Sequence, residues 1–316
     1  MVGNIGVAVI SASIDAPEDA WLVTETSSFQ LETTKYFKPA VSAILNLTPD
    51  NLDRHHTMEA YGAAKAMIFA NQQADGYTVL NADDPACIGL AGKNCKAKVV
   101  PFSRTKKLDF GAYVEDDQIV IRNEEGQLIT FCGTGELQII GSHNLENALA
   151  AAAVCYFAGI DPAVIADVLR TFGGVEHRIE YCGMVDGVKY YNDSKGTNVD
   201  AAVTALRAIG KNIILIAGGD GKGQEFDPFL AGFNGSVKHM LLLGKDAPLL
   251  QAAADKAGFA DYTLVKDMDE AVRKAYDMAV EGDTVLLSPA CASWDMYKNY
   301  EQRGDHFKEC VERLQK

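Results

Sequence analysis

Four short apolar-rich runs constrain this chain more than anything else in it: "VKYYN" at 188–192, "NIILIAG" at 212–218, "HMLLLG" at 239–244 and "DTVLLSP" at 283–289. They are too continuous to be half-exposed strands and too short to be buried helices. Between and after them lie segments with apolar residues at helical spacing, "VDAAVTALRAI", "APLLQAAADKAG", "MDEAVRKAYDMAV" and "NYEQRGDHFKECVERL". Strands buried on both sides and alternating with amphipathic helices require a mostly parallel sheet covered on both faces. In such a sheet, ligands collect outside the carboxyl ends of the strands. The polar turns that follow the strands are therefore where chemistry is expected.

The first ~170 residues alternate in the same way and then change character. "WLVTE", "VSAILNL", "YTVLNA" and "AKVVPFS" predict strands, with helices over "MEAYGAAKAMIFANQQ" and around "DPACIGLAGK". "AYVEDDQIVIRNEEGQLITFCG" predicts antiparallel hairpins with a Glu-Gly turn, followed by "ELQII". An alanine-rich helix closed by Gly159 and a second one with Pro162 in its first turn come next. The opening "MVGNIGVAVIS" predicts a glycine turn leading into an apolar helix or strand. "GGVEHR" at 173–178 predicts a hinge, dividing the chain into domains at 1–174 and 175–316, the second Rossmann-like.

Composition excludes several functions. A net charge of -14 argues against nucleic acid or an anionic membrane surface, which need a basic face. No apolar run reaches the ~18–20 residues that span a bilayer, so membrane insertion is not expected. Seven cysteines without a CxxC pair predict reduced thiols in a cytoplasmic protein, most of them core filler.

Five strand ends carry small hydroxyls, charges or glycines. They are Glu25 with Ser27 and Ser28, "TPDNLDRHH", "DSKGTN", "GDGKGQEFD" and "ACASW". A plain strand-to-helix turn needs a cap and a glycine, not a carboxylate, an ammonium and two hydroxyls within five residues, as in Asp193 to Thr197. "GGDGKG" is neither a Walker phosphate loop nor a dinucleotide fingerprint; it presents Lys222, either to solvent or to a ligand. Lys65 shares a helical stripe with Tyr61, Ile68 and Phe69. It either snorkels to the edge of that face or sits desolvated, where a neutral amine can take up CO₂ and become an anionic carbamate able to bind metal near Glu25. "DNLDRHH" is either a polar loop, with Asp50 capping the next turn, or a set of metal ligands matching no standard zinc spacing.

Taken together, "TETSSFQLETT", "AILNLTPDNLDRH", "YGAAK", "LNADD", "GSHNLENALAAAAV", "EHRIE", "NDSKGTN", "AGGDGKG" and "SPACASWDMYKNYEQRGDHF" resemble the Mur ligases, in the family's order from residue 3 to the C-terminus. The match is strongest with the branch that adds D-glutamate. The resemblance implies a partial central domain of mixed sheet and hairpins, then a Rossmann-like C-terminal domain. It implies an ATP- and Mg²⁺-dependent acid–amino-acid ligase that joins D-glutamate to UDP-N-acetylmuramoyl-L-alanine through an acyl phosphate, in peptidoglycan precursor synthesis. The partners it implies are these small molecules only, with the protein a monomer.

Carried over residue by residue, the resemblance makes Glu25 a metal ligand and Lys65 the carbamylated lysine of the metal site. Asn4 and Ser27 would contact the muramoyl substrate. His143, Asn144 and Asn147 would lie near the nucleotide, Arg178 at its phosphates and Asp193 on its ribose. Lys195 would approach the reacting groups, and Thr197, Lys222, Ser293, Trp294 and Tyr300 would clamp D-glutamate. Asn51 stands where the family has a metal-binding histidine; an amide oxygen suits Mg²⁺ better than it suits softer ions. The family's UDP-binding domain and G-K-[ST] phosphate loop have no counterpart in these residues, since no glycine–lysine pair here is followed by Ser or Thr. The 316 residues alone are therefore expected not to ligate. Two other readings remain at this stage: a folylpolyglutamate-synthase-like ligase, and an inactive fragment that retains nucleotide and amino-acid surfaces.

Overall fold

The computed structural model describes residues 1–49, 51–92 and 95–315. The chain forms two compact units, Met1–Leu137 with His143–Thr171, and Gln138–Ser142 with Phe172–Lys316.

In the first unit the order is β1 (Val2–Gly3), α1 (Val9–Asp15), β2 (Thr24–Glu25), α2 (Ser28–Leu31), β3 (Val41–Ile44), α3 (Leu52–His55) and α4 (Met58–Ala66). It continues with β4 (Tyr77–Asn81), α5 (Pro85–Gly89), β5 (Lys98–Ser103), β6 (Gly111–Glu115), β7 (Gln118–Arg122), β8 (Leu128–Gly133), α6 (Ser142–Phe157) and α7 (Pro162–Thr171). One sheet runs β3-β4-β5-β6-β7-β8, parallel up to β6 and antiparallel beyond it. β1 and β2 pair in parallel as a separate ribbon. Alternation along the strands builds both faces. Val79, Val100 and Phe102 pack with Leu149 and Ala153 of α6 and Ile165 of α7, while Ile44 and Leu80 pack with Tyr61 of α4, Phe69 and Cys87. Asp116 and Asp117 both take positive φ, the backbone that a two-residue hairpin between β6 and β7 requires.

The second unit contains β9 (Glu180–Val185), β10 (Val188–Asn192), α8 (Val199–Ile209), β11 (Ile213–Gly218), α9 (Asp227–Ala231) and β12 (Val237–Leu243). α10 (Ala247–Ala257), β13 (Tyr262–Leu264), α11 (Met268–Met278), β14 (Thr284–Leu287) and α12 (Tyr300–Leu314) complete it. Its sheet runs β13-β12-β11-β14-β10-β9, parallel except for β9. Ile213, Leu215 and Ala217 face α8, α9 and α10; Ile214 and Ile216 face α11 and α12 through Met268, Val272, Phe307 and Val311. The period of two in this division is why the runs read as uninterrupted apolar stretches. The mixed α/β architecture expected from the sequence is what the structure has.

"ELQII" forms no strand: Glu136 accepts the Gly133 amide at 2.6 Å and pairs with Arg170 at 2.7 Å, which turns the chain out of the sheet in a 3₁₀ turn at Thr134–Glu136. The apolar opening, expected as a glycine turn leading into a helix or strand, leads into helix α1, which has no buried residue. "DPFLA", for which no helix was expected, forms α9. All seven cysteines are free thiols, four of them buried. Among the described residues no helix is long and apolar enough to cross a membrane.

Candidate functional site

In the second unit, chemistry gathers where three parallel strands end. β10 and β14 run in register up to Asn192 and Leu287. The Asp193 amide then donates to the Leu287 carbonyl at 2.7 Å, which starts the turn. The Asp193 carboxylate is 4% exposed. It accepts the Ser288 hydroxyl at 2.7 Å and the Ile179 amide at 3.3 Å. Burial pushes its pKa up to about 7, against the lowering effect of those donors and of Arg178 and Arg303. Ser194, also buried, donates its hydroxyl to the Tyr300 carbonyl at 2.8 Å. Arg303 lies behind it, 2% exposed, with Nε 2.9 Å from Ser194 Oγ and Nη2 2.8 Å from Ser194 O. Burial draws the Arg303 pKa down to about 10.

The turn's exposed side carries the remaining groups. Lys195 is half-buried, with Nζ 5.7 Å from the Tyr300 ring centroid. Its amide donates to the carbonyl of His177, itself buried and packed edge-on to Tyr300 at 6.0 Å. Thr197 precedes Asn198, whose side chain caps α8. Arg178 is exposed. After β11, the Asp220 and Ala292 amides and carbonyls bond reciprocally at 2.9 and 2.8 Å, joining the "GGDGKG" and "ACASW" loops. Across that junction Lys222 Nζ lies 5.8 Å from the ring of Trp294, which is 67% exposed. Ser293 is buried between them in sequence. Its Oγ and the Nη1 of Arg303 are buried polar atoms with no hydrogen-bond partner among the described residues. Unpaired buried donors cost free energy unless a ligand completes them.

In the first unit, Glu25 ends β2 exposed and accepts the Asn4 side-chain amide at 3.0 Å. Glu25, Asn46, Lys65 and Ile68 share the lining of a cavity of about 420 Å³. Lys65 is half-buried, one helical turn after Tyr61, with Nζ 5.0 Å from that ring. Ser27 caps α2 in a reciprocal pair with Gln30, so its hydroxyl already has a structural task. Asn51 sits in the left-handed region at φ 53 as the residue before α3. Asp50, expected as a cap there, lies outside the described residues. His55 is buried, with Nε2 3.0 Å from Ser28 Oγ and Nδ1 3.2 Å from Glu32. Both its ring nitrogens are thus occupied by protein. His143, Asn144 and Asn147 occupy the first turns of α6, and Asn147 donates to Asn144 Oδ1 at 3.4 Å.

Sequence reasoning missed Arg303 and Ser288, the groups that hold the 193–197 turn from behind. The signal for Arg303 was present. Positions 303, 307, 310 and 311 form one helical stripe whose other members are Phe307, Cys310 and Val311, and an arginine on an apolar stripe needs a buried partner.

The Mur ligase middle-domain model matches residues 3–155, and the Mur ligase glutamate ligase domain model matches residues 177–291. The chain belongs to the Mur ligase family. A UDP-N-acetylmuramoylalanine–D-glutamate ligase of Thermoanaerobacter sp. strain X514 is 51% identical over 318 residues, spanning 100% of this chain and 70% of that protein. The enzyme of the same name from Clostridioides difficile strain 630 is 50% identical, spanning 99% of this chain and 69% of that protein. Among solved structures, a UDP-N-acetylmuramate–alanine ligase from Thermotoga maritima superposes with a TM-score of 0.63 at 18% identity, covering 92% of this chain and 63% of that one. At that identity the likeness carries the fold. This Mur ligase is thereby a ligase sequence of peptidoglycan precursor synthesis, as its motifs implied.

Proposed function

We propose that this Mur ligase serves the ATP-dependent joining of D-glutamate to UDP-N-acetylmuramoyl-L-alanine. The substrate carboxylate attacks the γ-phosphorus of ATP, ADP leaves, and the D-glutamate amine displaces phosphate from the resulting acyl phosphate, its proton passing to solvent. The observation that carries the amino-acid half is the pair of unpartnered buried donors, Ser293 Oγ on the loop joined to the one that bears Lys222, and Arg303 Nη1 on α12. Hydroxyl and cationic donors without acceptors suit an anionic ligand, and a dicarboxylic amino acid supplies two carboxylates. Thr197, Lys222, Ser293, Trp294 and Tyr300 form the clamp, with Lys195 directed to the reacting groups and Arg178 to phosphate. Because both Asp193 oxygens are engaged inside the turn, its part in nucleotide binding is to fix the shape of that turn. In the first unit His143, Asn144 and Asn147 serve the nucleotide, and Asn4 and Ser27 the muramoyl substrate.

Hard oxygen donors suit Mg²⁺, and the exposed Glu25 carboxylate is one. Glu25, the carbamate of Lys65 and the Asn51 amide would hold the ion, which supplies charge neutralisation at phosphate. Native mass spectrometry is expected to show one CO₂ added to the chain and absent from Lys65→Ala. An unmodified wild-type chain under bicarbonate would remove the carbamate from this account.

The function itself is tested on this chain joined to the 30% of the Thermoanaerobacter relative that the match leaves uncovered (100% less the 70% spanned). Phosphate release is expected to require ATP, D-glutamate and the muramoyl-alanine nucleotide together. Lys222→Ala is expected to raise the D-glutamate KM roughly 10–100-fold, the size of one charge-assisted contact. Product from a folate and L-glutamate, with none from the muramoyl nucleotide, would overturn the assignment.

A further inference from the structure

Away from these loops, on the other face of the second sheet, α11 and α12 bring three unlike ligand atoms together. Asp269 lies in the first turn of α11, and His306 and Cys310 are four residues apart on α12, so both project from one side of that helix. A carboxylate oxygen, an imidazole nitrogen and the thiol sulfur all lie within 4.8 Å of one another. Individually, His306 Nε2 is 3.0 Å from Asp269 Oδ2, and Cys310 Sγ is 3.8 Å from Asp269 Oδ1. Tetrahedral zinc with bonds of about 2.0–2.3 Å sets its ligand atoms roughly 3.3–3.8 Å apart, so the triad needs only small shifts, the imidazole and carboxylate parting slightly and the widest pair closing in.

Two neighbours strengthen the case. Tyr297 Oη lies 3.0 Å from His306 Nδ1, fixing the ring so that Nε2 faces the carboxylate and the sulfur. Partners of this kind orient the imidazoles of metal sites. Arg313 places Nη2 2.9 Å from Asp269 Oδ1 and 3.0 Å from Cys310 Sγ, so a positive charge already sits against two of the three donors. Its side chain is 56% exposed and can leave into solvent.

We propose that Asp269, His306 and Cys310 bind one divalent cation of the zinc type, with Arg313 as the side chain it displaces. Mixed N, S and O donors select zinc or cobalt over magnesium or calcium, which separates this site from the ion expected near Glu25. Three protein ligands leave a fourth position for water. Burial holds the Cys310 thiol up at about 11, so binding replaces the S–H bond by a metal–thiolate bond and the proton passes to solvent as cation-bound water leaves. His306 binds through Nε2 and donates its Nδ1 proton to Tyr297. Tyr297 donates its amide to the Ser293 carbonyl at 2.8 Å, so an ion here would brace the segment that carries Ser293 and Trp294.

Cobalt(II) titrated into the 316-residue chain just above neutral pH tests this. One equivalent is expected to produce a near-ultraviolet thiolate-to-cobalt charge-transfer band with tetrahedral bands in the visible, both removed by zinc. Cys310→Ser is expected to abolish the charge-transfer band, and His306→Ala to weaken binding by ~10-fold or more. Arg313→Gln, a surface change that leaves the fold intact, is expected to tighten binding severalfold. Adventitious binding to other thiols predicts no such gain. No charge-transfer band, a band that persists in Cys310→Ser, or no gain in Arg313→Gln would each overturn the site.

Discussion

Gly219→Ala is expected to destabilise the second unit by roughly 4 kcal/mol, the sum of a backbone strain and an overpacking penalty of about 1–3 kcal/mol each. Gly219 has φ +133, and a β-carbon there would lie 2.2 Å from the Ala292 carbonyl oxygen, 3.1 Å from Cys291 Cβ and 3.3 Å from Arg303 Nη1. The first of these is backbone, tied to Asp220 by reciprocal hydrogen bonds, and cannot yield without separating the two loops that carry Lys222 and Ser293. Gly223→Ala is the control: it also has positive φ, +77, yet nothing lies within 4 Å of the added carbon. That change is expected to cost about 1 kcal/mol. Urea denaturation followed by tryptophan fluorescence separates the two. Trp294 lies in the affected loop and Trp21 in the first unit, so each unit's transition has its own reporter. Equal midpoints for the two variants would show that the loops do not approach as described.

The same contrast explains what the sequence made legible. Apolar runs such as 213–218 announce themselves because both faces of a parallel strand are buried, and their partners need not be known. β9 was legible only as a strand beginning after the 173–178 hinge, because it lies at the sheet edge, where Tyr181 and Met184 are half exposed and no apolar run forms. The Asp186-Gly187 pair between β9 and β10, both with positive φ, was nevertheless a strong hairpin signal. β13 is three residues long and likewise at an edge. In the candidate site, the exposed reactive groups stood out by residue type, whereas the buried supports did not. Ser288 looks like any small residue after a strand, and its bond to Asp193 joins positions 95 residues apart. Ser27 is the opposite case: the resemblance gave it a substrate contact, and the helix-capping task that its hydroxyl also has is a local one the sequence equally allowed.

The support around Asp193 leads to the second expected result: Asp193→Asn makes the protein more stable at pH 8, by about 2–4 kcal/mol. The carboxyl titrates at 3.8 in the unfolded chain and at about 7 in the folded one, because burial disfavours its ionised form more than Ser288, the Ile179 amide and the two arginines favour it. Between those values the folded protein holds a proton that the unfolded chain has released, so this group's contribution to stability falls as pH rises. Its stability is complete below 3.8 and fully lost above about 7. An interval of about three pH units corresponds to ~4 kcal/mol at most, and relaxation of the turn reduces it. Asparagine keeps the shape of the protonated acid and does not titrate: its oxygen accepts the Ile179 amide, and its NH2 donates to the Ser288 hydroxyl, as the protonated acid's O–H would. The difference between the two proteins should therefore be largest at pH 7–8 and shrink steadily toward pH 4, with all other titrating groups cancelling in the comparison. Urea midpoints across that range measure it directly. A chain that keeps such a carboxylate against its own stability at neutral pH gives up stability for a turn shape, which is the trade expected at a functional site. An Asn variant no more stable than wild type at pH 8, or one whose advantage is the same at every pH, would mean that the carboxylate is not buried as the structure has it.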